Sequence, residues 1–252
     1  MARLVSTAVH VALAGASIAA PATALTVTLL TGAGRSGAGD NAGRPYATNV
    51  VAFASPPFSS GPITATDAGA SSTTTYTFTN ATWLIEFVHA RPGNTSLTWA
   101  WSDDYYPGAG VTFIVSEPVV AHLSGAYTVV DTGAGDNVRY DVKLWANGYS
   151  TLLHETYNYS AMTPNESFAL GQSGGDSENF VTGGVDHVLV PGVTYALEWY
   201  AFINDGHLDP GDIGATATGF YRIDFLPVPE PPIAALLAAG CVGLGRIGRR
   251  RA

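Results

Sequence analysis

From about residue 48 onward the apolar and polar positions alternate with a period of two, the spacing of a strand that buries one face. Residues 82–90 show it plainly. Trp83, Ile85 and Phe87 fall on one face, and Leu84, Glu86 and Val88 on the other. Residues 73–79 alternate threonine with aromatic side chains, both favoured on a pleated, half-buried surface. Residues 137–145 send Val138, Tyr140, Val142 and Leu144 one way and Arg139, Asp141 and Lys143 the other. Asn147-Gly148 then has the chemistry of a two-residue hairpin turn, because both residues tolerate positive φ. A strand over 149–157 is predicted to return from it. Val193, Tyr195, Leu197 and Trp199 share one face of a strand over 193–203, entered through the Pro191-Gly192 turn. Shorter strands are predicted at 25–30, 49–53, 96–101, 111–116, 119–122, 126–131, 186–190 and 215–225. Pro56-Pro57, Arg91-Pro92-Gly93-Asn94 and Ser124-Gly125 read as breaks between strands. No long segment carries apolar residues at the helical period. Roughly ten to thirteen short strands with turns between them predict an all-β fold, an antiparallel β-sandwich of jelly-roll or Greek-key type.

The two ends depart from this pattern. Residues 1–24 read as a signal peptide: Arg3 supplies the positive start, 11–20 are apolar and small, and Ala22-Thr23-Ala24 is a cleavage site of the A-x-A kind. Near the other end Pro229-Glu230-Pro231 precedes an apolar run, 233–244, and a basic stop made of Arg246, Arg249, Arg250 and Arg251. The prolines keep the motif out of any helix. The apolar run suits a membrane-spanning helix, and the arginines prefer the cytoplasmic side. The run is shorter than the roughly 20 residues of a full span. In this order the three parts of 227–252 resemble the PEP-CTERM sorting signal of Gram-negative bacteria. The resemblance implies an exosortase-type membrane protease as partner. It also implies an inner-membrane precursor, and delivery to the cell surface or to an extracellular matrix where exopolysaccharide is a further partner. It implies nothing about the body, residues 25–226, since such tails are attached to many unrelated bodies. The L-P-x-T-G signal of Gram-positive sorting is absent; the nearest text is Leu226-Pro227-Val228-Pro229.

The chain has 252 residues, and about 200 between the ends suffice for one domain with one core. Between 25 and 228, six basic side chains face nineteen acidic ones, a net of −13 within a chain whose formal total is −9. That balance repels nucleic acid and anionic headgroups, so neither is expected as a partner of the body. The single cysteine, Cys241, lies in the tail. The body must therefore hold together without a disulfide, by packing alone or by packing and bound ions.

Catalytic groups are sparse. His89, His122, His154, His187 and His207 show no H-x-x-x-H or H-E-x-x-H spacing and have no cysteine to join them, so no zinc site is expected. Residues 32–37 spell G-x-G-x-x-G, but the segment after them is no helix former, and the dinucleotide motif needs a helix there. The segment reads as a flexible loop. Residues 171–175 spell G-x-S-x-G, again without the helix a nucleophile elbow requires, so Ser173 reads as a loop serine. Glu86, Glu117, Glu155 and Glu198 are available for a glycosidase pair, and sequence does not pair them. No catalytic residue is assigned.

Two stretches carry binding chemistry. In 204–212, Asn204, Asp205, Asp209 and Asp212 cluster oxygen ligands around glycines, as calcium prefers. The same composition describes an Asx-rich turn in water. In 99–106, Trp99 and Trp101 share one strand face and are followed by Asp103, Asp104, Tyr105 and Tyr106. Aromatic rings stack on the C–H faces of sugars, and carboxylates accept sugar hydroxyls. If the tryptophans face the second sheet they are core instead. The sequence thus points to an exported, non-catalytic surface or matrix protein. A carbohydrate-binding module is the alternative, and a polysaccharide-active enzyme the third reading.

Overall fold

The alternation along the chain becomes the two faces of two antiparallel sheets. In this computed structural model, residues 24–40, 46–93, 98–104, 110–131, 136–161, 167–169, 184–205 and 214–228 are described. Among them there are fifteen strands and no helix. In chain order they are β1 (Val27–Thr31), β2 (Ala33–Asp40), β3 (Ala47–Ala52), β4 (Phe58–Asp67), β5 (Ala70–Phe78), β6 (Thr82–Pro92), β7 (Thr98–Asp103) and β8 (Val111–Val115). Then follow β9 (Val119–Asp131), β10 (Asp136–Ala146), β11 (Thr151–Ala161), β12 (Ser167–Ala169), β13 (Val185–Leu189), β14 (Tyr195–Asp205) and β15 (Gly214–Pro227).

The first sheet is organised on β14. One edge of β14 pairs with β10 along its whole length, and β11 lies beyond β10. The other edge forks: Tyr195 to Leu197 pair with β8, and Tyr200 to Asn204 pair with β7. β1 lies outside β8, while β2 and then β3 lie outside β7. The second sheet runs β4-β5-β6-β15-β9, with β12 and β13 sharing the far edge of β9. The fold is therefore all-β, two antiparallel sheets packed as a sandwich.

The core lies between the sheets and is aromatic. Trp83, Ile85 and Phe87 of β6 are buried there, as the alternation predicts, with Tyr76 and Phe78 of β5 and Phe225 of β15. The first sheet contributes Phe113, Tyr195, Leu197 and Trp199. Two tyrosines tie the sheets together. Tyr140 and Tyr221 stack at 4.4 Å between centroids. The Tyr140 hydroxyl donates to the Phe220 carbonyl and the Tyr221 hydroxyl to the Tyr200 carbonyl, each at 2.8 Å. Each sheet thus bonds the backbone of the other, and the second bond fixes β14 at Tyr200.

Several expectations are corrected. The glycine segment expected as a flexible loop is the strand β2, buried and paired on both sides. The break expected at Ser124-Gly125 does not occur, and β9 runs through it. Gly125 is needed there because a Cβ would fall on the Tyr140 hydroxyl. β4, not expected at all, is an edge strand with a bulge between Ser59 and Pro62, a place where proline is tolerated. β6 continues through Pro92, into the stretch expected as a turn. The Asn147-Gly148 turn is present, with φ of 55° and 59°, but Ala146 pairs with Thr151 and the loop has two residues more than expected. The expected signal peptide, sorting motif and membrane segment lie outside the described residues, as do Ser173 and His207.

Candidate functional site

The outer face of the first sheet is built by β2, β7, β14 and β10. Along β7 the inner positions Thr98, Ala100 and Ser102 face the sandwich, which leaves Trp99, Trp101 and Asp103 on the outer face, where Trp101 and Asp103 are nevertheless buried by their neighbours. The register sets Gly37 of β2 and Phe202 of β14 beside Trp101, and Arg35 and Tyr200 beside Asp103. The glycines of β2 make this possible. A Cβ on Gly37 would fall inside the Trp101 ring, and one on Gly39 would meet Tyr46 and Trp99. Both indoles therefore lie down on the β2 backbone instead of competing with side chains.

Further aromatic residues complete the surface. Tyr46, just before β3, packs edge-on against Trp99 at 5.5 Å and Trp101 at 5.7 Å between centroids, and is itself 56% exposed. Tyr200 and Phe202 stack with centroids 5.8 Å apart. Arg35, Tyr46, Trp99 and Trp101 on one side, with Asp103, Tyr200 and Phe202, line an open groove of about 380 Å³.

Two arginine–aspartate pairs grip this surface. Arg35 meets Asp103 with two parallel hydrogen bonds, one from Nε to Oδ1 at 3.0 Å and one from Nη2 to Oδ2, and its guanidinium lies 6.0 Å from the Trp101 ring centre. Arg139 of β10 donates from Nη2 to Asp141 Oδ2 at 2.8 Å and sits 4.9 Å over the Tyr200 ring. Burial raises the Asp141 carboxyl above its ordinary value, against the opposing pull of Arg139 and Lys143. Burial, with the Asp103 charge, pushes the Tyr200 hydroxyl up to about 12, so it stays a neutral hydrogen-bonding group. At the fork of the sheet, burial with Asp103 and Glu198 holds the Asp104 carboxyl up at about 8. Glu198 there accepts a hydrogen bond from Trp145 Nε1 at 2.8 Å.

Of the residues expected from sequence, Trp99 and Trp101 do share a face, and it is the outer one. Tyr105 and Tyr106 lie outside the described residues. Asn204 and Asp205 still belong to β14, paired with β10; Asp209 and Asp212 lie outside the described residues. Among the described residues no group of three or more His, Cys, Asp or Glu side chains is placed to hold a metal ion. Sequence reading missed Arg35, Tyr46, Tyr200, Phe202 and Arg139 as site residues. The signal for Tyr200 and Phe202 was present: they alternate with the inward Trp199 and Ile203. Arg35 was hidden by the loop assignment of β2.

No family model and no curated protein matches the chain. Among solved structures, a carbohydrate-binding module from the β-sandwich superfamily is 9% identical, with 79% of this chain and 86% of that chain covered, at a TM-score of 0.18. The VP2 protein of infectious bursal disease virus is 12% identical at a TM-score of 0.15. That match covers 81% of this chain and 62% of the viral one. At such scores neither likeness bears on fold or function.

Proposed function

We propose that the chain is an exported, non-catalytic surface or matrix protein whose sandwich binds carbohydrate on the outer face of its first sheet. One observation carries the reading: the tryptophans lie on the outside of the sandwich and line an open groove with Tyr46, Tyr200 and Phe202. Packing between the sheets does not account for them, since that cluster includes Ala100 of the same strand and neither Trp99 nor Trp101, although Trp101 is only 7% exposed on its own face. Flat rings beside polarised hydroxyl, guanidinium and carboxylate groups suit sugars, which present C–H faces and hydroxyl edges. Aromatic rings beside arginine also suit single-stranded nucleic acid, but a body at −13 repels that ligand. The sorting tail, with Pro229, Glu230 and Pro231 as its motif, supports export through an exosortase-type protease.

A glycan array probed with the full chain in detergent tests the proposal, run once in millimolar calcium and once in chelator. Binding of extended polysaccharides is expected, and Trp101→Ala abolishes it. The two conditions agree unless Asn204, Asp205, Asp209 and Asp212 hold calcium. Silence across the array would remove the carbohydrate part and leave a plain surface protein. A polysaccharide-active enzyme is the second reading, favoured by one observation. Burial, with the Asp103 and Glu198 charges, raises the Asp104 carboxyl to about 8, the direction a general acid needs. Release of new reducing ends from bound polysaccharide would turn the reading that way.

A further inference from the structure

The outer face contains the same unit twice. In each unit a buried aspartate holds an arginine, and the arginine lies against an aromatic ring. Asp103 (side chain 10% exposed) holds Arg35 (27%) beside Trp101, and Asp141 (7%) holds Arg139 (38%) over Tyr200. The aspartates are anchors and the guanidiniums are what solvent reaches; Trp101 itself is 7% exposed, covered by its packing against Tyr46 and the Gly37 backbone. The register places the two units on either side of β14. Trp101, Phe202 and Arg139 form one row across the strands, and Asp103, Tyr200 and Asp141 form the next.

We propose that the face binds an uncharged polysaccharide chain lying across the strands, with consecutive sugar subsites at the Trp101–Arg35 unit and the Tyr200–Arg139 unit. The inference rests on the carbohydrate reading and adds ligand class, direction and a second subsite to it. Direction follows from the rows: β2, β7, β14 and β10 are adjacent, so three strand spacings carry the face about 14 Å across the sheet. That length takes several sugar residues of an extended chain. β11 continues the rows, with Tyr159 at the register position opposite Arg139 and Tyr157 opposite Asp141. Charge class follows from the pairing. Each guanidinium is already matched by a carboxylate, so the face offers no net positive charge to a uronate or a sulfate ester. The surrounding body repels such polymers besides. What the arginines offer is a planar surface beside the rings. Arg139 and Asp141 are positioning residues for the second subsite in this arrangement, and Tyr200 is its floor.

Calorimetric titration of the full chain in detergent tests this, using neutral glucan oligosaccharides from disaccharide to hexasaccharide and a matched oligouronate series. Affinity for the neutral series is expected to rise with length and to be insensitive to salt. Arg139→Lys keeps a cation beside Asp141 but removes the planar fork. It is expected to cost about tenfold on the hexasaccharide, which fills both subsites, and less on the disaccharide. Trp101→Ala is expected to abolish binding at every length. Preferential, salt-sensitive binding of the uronates would overturn the proposal. So would an equal loss at all lengths in Arg139→Lys, or affinity independent of length in the wild type. Those results leave carbohydrate binding itself standing. That reading falls only if no oligosaccharide of either series binds.

Discussion

His89 lies wholly inside the sandwich, stacked on Phe87 at 5.0 Å, and neither of its ring nitrogens has a partner among the described residues. Burial alone pushes its pKa down to about 3. The folded protein therefore keeps the ring neutral while the unfolded chain takes up a proton below about pH 6.5. Stability from this residue is complete above that pH and is lost as pH falls towards 3, at about 1.4 kcal/mol per pH unit. His154, lowered to about 4 by burial and the nearby His187, acts in the same sense. Urea midpoints are expected to fall as pH drops from 6.5 to 4, and His89→Phe should flatten that slope. Parallel pH profiles for the two proteins would show that His89 does not contribute. None of this was legible in sequence, where His89 continues the inward series of Trp83, Ile85 and Phe87 but carries no mark of whether it meets a partner.

At the scale of elements, β5, β6, β10 and β14 were legible from side-chain alternation, and β1, β3, β7, β8, β9, β11, β13 and β15 from short runs between turn signals. β2 was not, because a glycine-rich segment has no side chains with which to show a period. Its strand character is supplied by β7, whose tryptophans cover the bare backbone and replace the missing side chains on the outer face. Recognition of the site stopped at Trp99 and Trp101 for the same reason, since Arg35 and the glycines that seat the indoles lie on β2. Gly37→Ala inserts a methyl group where the Trp101 ring lies. Overpacking of this kind costs about 1–3 kcal/mol. The variant is expected to show a lower melting temperature, a shifted tryptophan emission and weakened glycan binding together. Unchanged emission with lost stability would place the strain elsewhere than at Trp101.

At the scale of the whole molecule, the alternation predicted two sheets and a single core, and left the pairing of strands open. Strand order depends on which partners meet across long stretches of chain: β14 takes β10, β7 and β8 as neighbours, and no local pattern records that. The proposed sorting tail makes a separate forecast. The mature protein is expected to end near Pro229-Glu230-Pro231, and mass spectrometry of its C-terminal peptide reads this directly; a terminus at Ala252 would refute processing. The tail's point of attachment also has a mechanical meaning. β15, which leads to residue 228, is an interior strand, paired over 214–224 with β6 and over 215–227 with β9. A load entering at residue 228 runs along the strand axis and shears both ladders at once. A load entering at Val27 instead meets β1, an edge strand held by the single ladder to β8. Resistance to forced unfolding is a matter of the unfolding rate, and on this geometry that rate depends on which end is pulled. If the sandwich is held by its C-terminal side while its outer face binds the proposed polymer, the load enters through its more resistant strand.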